Sequence, residues 1–171
     1  MKLARSAAGE RRVVGIGELL VSSNQDDVLV TFSLGSCVGL TLFDPVVRVG
    51  GLIHCMLPLA AHDPERARRD PGIFVDSGLT RLLDELFVLG ARRADLVVKL
   101  AGGGSHAPGS DAFRIGERNC IVARKVLWKN DLLLAAAETG GSEARTLTLY
   151  LADGRTTVRS RGEEHPLGEP R

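Results

Sequence analysis

Residues 30–58 read VTFSLGSCVGLTLFDPVVRVGGLIHCMLP. It contains two short apolar runs, Val38 to Phe43 and Val49 to Leu57, on either side of the turn signal Asp44-Pro45. Apolar runs of this length around an Asp-Pro turn are typical of two neighbouring strands. We therefore predict that the two runs pair in one β-sheet.

A cysteine and a histidine stand on these two runs. Cys37 comes just before the first run, and His54 lies within the second. If the strands pair, the thiol and the imidazole can face each other, which is the geometry of a nucleophile and its base. A free thiol has a pKa of about 8.5, so a neighbouring imidazole is the usual means of activating it at neutral pH. A second interpretation stays open, in which Cys37 is a small buried hydrophobe and His54 a core histidine.

The two residues before Cys37 indicate an oxyanion-binding site. Gly35 has access to backbone angles that are closed to other residues, so it can expose the peptide N–H groups around Ser36 and Cys37. Such N–H groups are able to hold the negative oxygen of a tetrahedral intermediate. Gly35 and Ser36 are therefore candidate oxyanion residues.

Further motifs follow in order along the chain. AGGGS occupies residues 101–105, IGERN residues 115–119 and ETGGSEAR residues 138–145. Together with TFSLGSC, FDP and GGLIHCMLP, they resemble the CheD family, the chemoreceptor glutamine deamidases of bacterial and archaeal chemotaxis. The resemblance runs from about Val13 to about Arg159, which is nearly the whole chain.

The resemblance implies three catalytic residues. In the family a cysteine, a histidine and a threonine form the active site, and the matching positions are Cys37, His54 and Thr31. Residue type alone would make Thr31 an ordinary β-branched strand residue. Two positions depart from the family pattern, since Ile53 replaces a frequent asparagine and Cys55 a common aromatic. These departures concern the shape of the pocket rather than the three residues.

The resemblance also implies an activity and a fold. The activity is conversion of glutamines of methyl-accepting chemotaxis receptors to glutamate with release of ammonia, without metal or cofactor. Hydrolysis of glutamyl methyl esters and binding of the phosphatase CheC are further implications. The implied fold is two packed mixed β-sheets flanked by helices, as in cysteine-dependent deamidating toxins. Mixed strands with only two long helices independently favour an α+β class.

Two other functions stay open at this point. One is a non-catalytic adaptor that binds receptors and CheC while its thiol is idle. The other is a cysteine hydrolase of a small-molecule amide, which a deep and narrow pocket at Cys37 would favour. The presence of Thr31, Cys37 and His54 together favours the enzyme over the adaptor.

Composition predicts the number of domains and excludes several classes of partner. The chain has 171 residues, 44% of them hydrophobic and only 4% aromatic, which is enough for one domain with a core of aliphatic side chains. A net charge of +1 does not create an electrostatic field that would attract nucleic acid or an anionic membrane. Three cysteines at no framework spacing, with no signal peptide and no membrane-spanning run, predict a cytoplasmic protein with reduced thiols and no membrane insertion.

The cysteines and histidines do not predict a metal site. Cys37, His54, Cys55 and His62 lack the paired C-x-x-C or H-x-x-x-H spacing that structural zinc prefers. We therefore expect a metal-free site, and we expect His62 to be a surface residue.

The glycine run at residues 102–104 calls for a separate interpretation. It lacks the lysine of a phosphate loop and does not match G-x-G-x-x-G. We interpret Gly103 and Gly104 as oxyanion or substrate-binding positions, where backbone comes close to a substrate side chain or to a neighbouring strand. His106 is an alternative base, but a Gly/Ser/Pro loop holds a side chain less firmly than a strand does. Asn119 could anchor this glycine loop by hydrogen bonds.

The remaining pattern predicts the other elements. Residues 1–12 are expected to be a flexible arm, residues 13–160 the single domain and residues 161–171 a flexible tail. Residues 60–72 read as an exposed loop. Strands are predicted over residues 13–21, 28–32, 96–101, 132–137, 146–151 and 156–159, and helices from Asp76 or Ser77 to Gly90 and from Ile115 to Asn130.

Overall fold

The computed structural model describes residues 9–105 and 114–168. The strands within this part of the chain are β1 Arg11–Val13, β2 Leu19–Ser22, β3 Val28–Leu34, β4 Val38–Asp44, β5 Val49–Cys55, β6 Val97–Gly102, β7 Leu134–Thr139, β8 Arg145–Tyr150, β9 Thr156–Ser160 and β10 Glu163–Pro166. They form a first sheet of order β1-β3-β8-β9-β10 and a second of order β2-β5-β4-β6-β7. Each sheet is mixed, because β1 runs parallel to β3 and β6 parallel to β7 while the other pairs are antiparallel.

Three α-helices accompany the sheets in the described residues: α1 Pro64–Arg69, α2 Val75–Val88 and α3 Ile115–Lys129. The buried leucines of α2 and the buried side chains of α3 pack on one face of the second sheet. The opposite face of that sheet packs on the first sheet through a second apolar cluster. This order of layers confirms the α+β class, with two packed mixed sheets flanked by helices. No helix in the described residues has the length and apolarity to span a bilayer.

The hairpin of β4 and β5 lies at the centre of this arrangement. Both strands are buried along their whole length, as expected of apolar runs enclosed on two faces. The carboxylate of Asp44 accepts hydrogen bonds from the N–H groups of Val46 and Val47, which closes the predicted Asp-Pro turn. The predicted pairing of the two runs is therefore confirmed.

Alternation along β5 decides where the histidine points. Ile53 and Cys55 belong to the cluster under the helices, whereas Leu52 belongs to the cluster between the sheets. Successive side chains of a strand point to opposite faces, so His54 shares the face of Leu52. The histidine is therefore placed between the two sheets, and only 1% of it is exposed.

The first predicted strand, over residues 13–21, is wrong as a single element. The chain forms β1 in the first sheet and β2 in the second sheet. The break falls at the Gly15-Ile16-Gly17 segment, where Gly17 has a φ of +78°. A glycine in that conformation lets the chain turn from one sheet to the other.

The predicted loop over residues 60–72 contains α1. The carboxylate of Asp63 accepts a hydrogen bond from the Arg66 N–H, and Pro64 is the first residue of the helix. An aspartate cap followed by proline is a helix start signal that outweighs the loop composition. The segment is largely exposed, as predicted, and His62 lies on its exposed side.

The flexible tail predicted for residues 161–171 is wrong where β10 pairs with β9. Arg161 and Gly162 have φ values of +52° and +81°, which is the conformation of a two-residue hairpin turn. The predicted arm likewise overlaps β1 at Arg11 and Arg12. Residues 1–8 and 169–171 lie outside the described residues, and the single domain over residues 13–160 stays a prediction.

The first predicted helix, expected to start at Asp76 or Ser77, begins one or two residues earlier, at Val75. Phe74 precedes α2, without a side-chain cap, and the Asp76 carboxylate instead accepts a hydrogen bond from the Ala60 N–H. The helix predicted from Ile115 is confirmed as α3. The strands predicted over residues 146–151 and 156–159 are confirmed as β8 and β9, which pair with each other.

Candidate active site

The threonine and the histidine meet across the two sheets. Thr31 lies in β3 of the first sheet and His54 in β5 of the second. The Thr31 hydroxyl oxygen is 2.7 Å from His54 Nδ1, and both residues are buried. This contact brings together two of the three residues that the sequence analysis singled out.

The same hydroxyl sets the tautomer of the imidazole. Thr31 Oγ1 donates its one proton to the backbone carbonyl of Val14, at 2.7 Å. A hydroxyl has a single proton to donate, so the contact with His54 must be a hydrogen bond from Nδ1–H to Oγ1. A neutral imidazole with its proton on Nδ1 carries a free lone pair on Nε2.

That Nε2 atom is buried and has no hydrogen-bond partner among the described residues. Burial lowers the pKa of His54 from 6.5 to about 4, because the charged imidazolium loses its hydration. At neutral pH the ring is therefore uncharged, with an unoccupied proton acceptor.

Cys37 is placed diagonally across the hairpin from His54. Gly39 is the register partner of His54, and Cys37 precedes Gly39 by two residues. Diagonal neighbours on one face of an antiparallel pair are about 7–8 Å apart at Cα, within reach of a long side chain. Cys37 packs against the cluster between the sheets, on the face that His54 also occupies.

The thiol and the imidazole are both neutral at rest. Burial raises the pKa of Cys37, and the residue's own backbone N–H lowers it by a smaller amount. A thiol with a raised pKa beside an imidazole with a lowered pKa does not form a thiolate–imidazolium pair. The arrangement therefore suits general-base activation, in which the proton moves only as the sulfur attacks.

Donors from the glycine run hold the loop that carries Cys37. Gly104 N–H donates to the Gly35 carbonyl at 2.7 Å, and Gly103 N–H donates to the Cys37 carbonyl at 2.8 Å. These amides are occupied and have no proton left for an oxyanion, and the role of Gly103 and Gly104 in substrate binding stays a prediction. Their other expected role, close approach to neighbouring backbone, is confirmed.

The remaining amides of the loop are the candidates for oxyanion donors. Gly35 N–H is occupied by the Ser33 carbonyl. The amides of Ser36 and Cys37 donate to no other residue within residues 9–105 and 114–168. Ser36 thus has an N–H without another partner in the described residues, whereas the N–H of Gly35 is taken and its role stays a prediction.

Glycine is required in the run because the backbones touch. A Cβ atom on Gly102 would collide with the Cys37 carbonyl, and one on Gly103 would collide with Cys120 Sγ. Both glycines also have positive φ values, +106° and +64°. Close approach and left-handed backbone angles therefore both exclude larger residues here.

Asn119 has a role that the sequence analysis assigned to the wrong loop. Its Nδ2 donates to the Ser36 carbonyl and to the Met56 carbonyl, each at 3.0 Å. The asparagine thus connects the loop at Ser36 to the end of β5 and does not anchor the glycine loop. The available signal was its place on the buried face of α3 with Ala123 and Leu127, since a buried amide needs partners.

The other thiols and histidines are less suited to the chemistry. Cys55 is fully buried under the helices, and burial raises its pKa strongly. Cys120 is half-buried beneath Gly103, and its pKa is also raised by burial. His106 lies outside the described residues. A cleft of about 340 Å³ adjoins the glycine run, and its described walls do not include Cys37.

Fold and site together define a class: an α+β protein with two packed sheets that meet at a cysteine, a histidine and a threonine. Comparison with known proteins narrows the class. Residues 56–160 match the family described as CheD chemotactic sensory transduction. The chain belongs to the CheD family.

Curated relatives match over nearly their whole length. The probable chemoreceptor glutamine deamidase CheD 1 of Syntrophus aciditrophicus is 41% identical over 88% of this chain and 94% of its own. The probable chemoreceptor glutamine deamidase CheD 2 of Anaeromyxobacter dehalogenans is 44% identical over 90% of this chain and 97% of its own. A Pyrococcus abyssi protein named probable chemoreceptor glutamine deamidase CheD is 43% identical over 85% of this chain and 89% of its own.

Proposed function

We propose that this protein is a chemoreceptor glutamine deamidase, with Cys37 as nucleophile, His54 as base and Thr31 as the residue that positions the imidazole. The observation that carries the proposal is the 2.7 Å contact between Thr31 Oγ1 and His54 Nδ1, which leaves Nε2 as a free acceptor. The names of the relatives supply the substrate class, namely glutamines of chemoreceptors. We propose that the chemoreceptors are methyl-accepting chemotaxis receptors.

The first half of the reaction forms a thioester. Cys37 Sγ attacks the carboxamide carbon while His54 Nε2 takes the thiol proton. The amides of Ser36 and Cys37 hold the oxyanion of the tetrahedral intermediate. The imidazolium then gives its proton to the leaving nitrogen, the C–N bond breaks and ammonia departs.

The second half returns the enzyme to its resting state. His54 Nε2 takes a proton from water as the water attacks the thioester carbon. The C–S bond breaks, the thiolate is protonated by the imidazolium, and a glutamate side chain is left on the receptor. The sum is one water consumed and one ammonia released for each glutamine. An ester is an easier acyl donor than an amide, so the same groups would hydrolyse glutamyl methyl esters.

The proposal includes a compartment and a partner. A mechanism that uses a free thiol fits the cytoplasm, where thiols are kept reduced. The phosphatase CheC is the proposed protein partner, and co-elution of the two purified proteins in gel filtration tests this part alone.

Ammonia release distinguishes the proposal from its alternatives. The full chain is incubated with a chemoreceptor cytoplasmic fragment, with free glutamine and with simple primary amides. A deamidase of receptors releases ammonia from the fragment alone. Release from the small amides but not the fragment would support a small-molecule hydrolase, and binding of the fragment without release would support the adaptor.

A further inference from the structure

The carbonyl groups of three consecutive loop residues are each held by a separate donor. Gly104 N–H holds the Gly35 carbonyl, Asn119 Nδ2 holds the Ser36 carbonyl, and Gly103 N–H holds the Cys37 carbonyl. The two outer donors are backbone groups. Of these three donors, Asn119 Nδ2 alone belongs to a side chain. A substitution can therefore remove this donor without altering the backbone.

The central carbonyl has a defined relation to the nucleophile. The Ser36 carbonyl and the Cys37 N–H belong to the same peptide unit, which is planar and trans. In a trans peptide the C=O and N–H bonds point in opposite directions, so a donor that fixes the carbonyl also fixes the N–H. Asn119 therefore determines the direction of the Cys37 N–H, one of the two amides of the loop that donate to no other described residue.

The second hydrogen bond of Asn119 extends this control to the histidine strand. Its Nδ2 also donates to the Met56 carbonyl, two residues beyond His54. One amide group thus connects the loop of the nucleophile to the strand of the base. Both neighbours are carbonyls, which can only accept, so the orientation of the carboxamide follows from the network.

The asparagine is an unfavourable residue for its buried position. It is fully buried, and its Oδ1 accepts no hydrogen bond from the described residues. An unpaired buried acceptor destabilises the folded state, which a leucine of similar size would avoid. What the asparagine supplies at this position is its pair of N–H donors.

We propose that Asn119 is a positioning residue of the reaction, which aims the Cys37 N–H at the oxygen of the tetrahedral intermediate by holding the Ser36 carbonyl. The inference rests on the proposed function, because an oxyanion forms only if an acyl group is attacked. It predicts that Asn119 contributes far more to the step with an oxyanion than to the nucleophilicity of the sulfur, because the Cys37 N–H affects the thiol less than burial does.

Two reactions of the same thiol separate these roles. Deamidation of a receptor cytoplasmic fragment passes through an oxyanion, whereas alkylation of Cys37 by iodoacetamide does not. Both rates are measured on the full chain for wild type, Asn119→Ala and Asn119→Leu, with alkylation followed at the Cys37 peptide by mass spectrometry. The control is Asn130→Ala, which removes a similar bond from Nδ2 to the Val126 carbonyl at the far end of α3.

We expect kcat for deamidation to fall by about tenfold or more in both Asn119 variants, with KM little changed. Alkylation of Cys37 should stay within about twofold of wild type, and Asn130→Ala should leave both rates unchanged. Equal losses in the two reactions, or no loss in either, would overturn the inference. Failure of both variants to fold would make Asn119 a folding residue and would also overturn it.

These measurements distinguish failure of the proposed function from failure of the inference about Asn119. A wild-type protein that does not deamidate the fragment contradicts the proposed function and, with it, the inference. A wild-type protein that is active while Asn119→Leu is equally active contradicts the inference alone.

Discussion

Thr31 and His54 are joined by a 2.7 Å hydrogen bond that connects the two sheets of the protein. The threonine comes from the first sheet and the histidine from the second, so the bond forms only when the sheets pack correctly. Because Thr31 Oγ1 donates to the Val14 carbonyl, it accepts from Nδ1–H and leaves Nε2 free. Packing of the fold and chemistry of the site thus depend on the same contact.

Replacement of Thr31 tests this contact. In Thr31→Val the hydroxyl is lost at nearly constant volume, so Nδ1–H and the Val14 carbonyl are both left unpaired. We expect kcat to fall about tenfold or more, and unfolding to become easier by about 1–3 kcal/mol, because buried polar groups lose their partner. Thr31→Ser keeps the hydroxyl and should retain most of the activity. Full activity of Thr31→Val in the receptor assay would contradict the tautomer argument.

The decline of kcat/KM at acidic pH measures the protonation of His54, the proposed base. The base must be unprotonated, and burial lowers its pKa to about 4. We therefore expect kcat/KM to persist as pH falls through 6.5, the value of an unburied histidine, and to decline only towards pH 4. The measurement is deamidation of the receptor fragment between pH 4 and 8, with stability checked at each pH. A midpoint near 6.5 would contradict the buried, neutral imidazole.

Stability should depend on pH through the same group. The unfolded chain binds a proton at His54 below pH 6.5, whereas the folded chain resists it until about pH 4. The unfolded state therefore binds more protons within this window, so the free energy of unfolding decreases as pH falls from 6.5 to 4. The loss should reach about 3 kcal/mol. Urea unfolding of wild type and His54→Gln measures it, and the difference between the two curves removes the effect of the carboxylates.

Gly116 provides a packing test near the site. A Cβ atom there would lie 2.7 Å from the Gly103 carbonyl oxygen and would also collide with that of Gly104. We expect Gly116→Ala to destabilise the protein by about 1–3 kcal/mol and to lower activity, because the glycine run must shift away from the Cys37 loop. Ile121→Ala, at an exposed position of the same helix, is the control and should change stability by less than about 0.5 kcal/mol. Wild-type stability in a thermal melt of Gly116→Ala would contradict the close packing.

The sequence predicts the part of the site that depends on local pattern. Apolar runs around Asp44-Pro45 specify the hairpin, and the hairpin places Cys37 diagonally across from His54. The contact of Thr31 with His54 is different, because it joins residues 23 positions apart in two separate sheets. Periodicity does not specify which strands face each other, so only the resemblance to a family singled out Thr31.

Two further features depend on geometry that residue type does not specify. Asn119 sits 83 positions from Ser36, and nothing in the IGERN motif indicates which carbonyl its amide holds. The strand at Glu163–Pro166 forms because Arg161 adopts a left-handed conformation before Gly162. That conformation is uncommon for arginine, so the polar composition predicted a tail instead.

In the proposed reaction, Cys37 is the nucleophile that converts receptor glutamines to glutamate. The most direct measurement is the intact mass of a chemoreceptor cytoplasmic fragment after incubation with wild type, Cys37→Ala, Cys55→Ala and Cys120→Ala. We expect a gain of about one dalton per modified glutamine with wild type, Cys55→Ala and Cys120→Ala, and none with Cys37→Ala. A gain that persists in a folded Cys37→Ala protein would contradict the account.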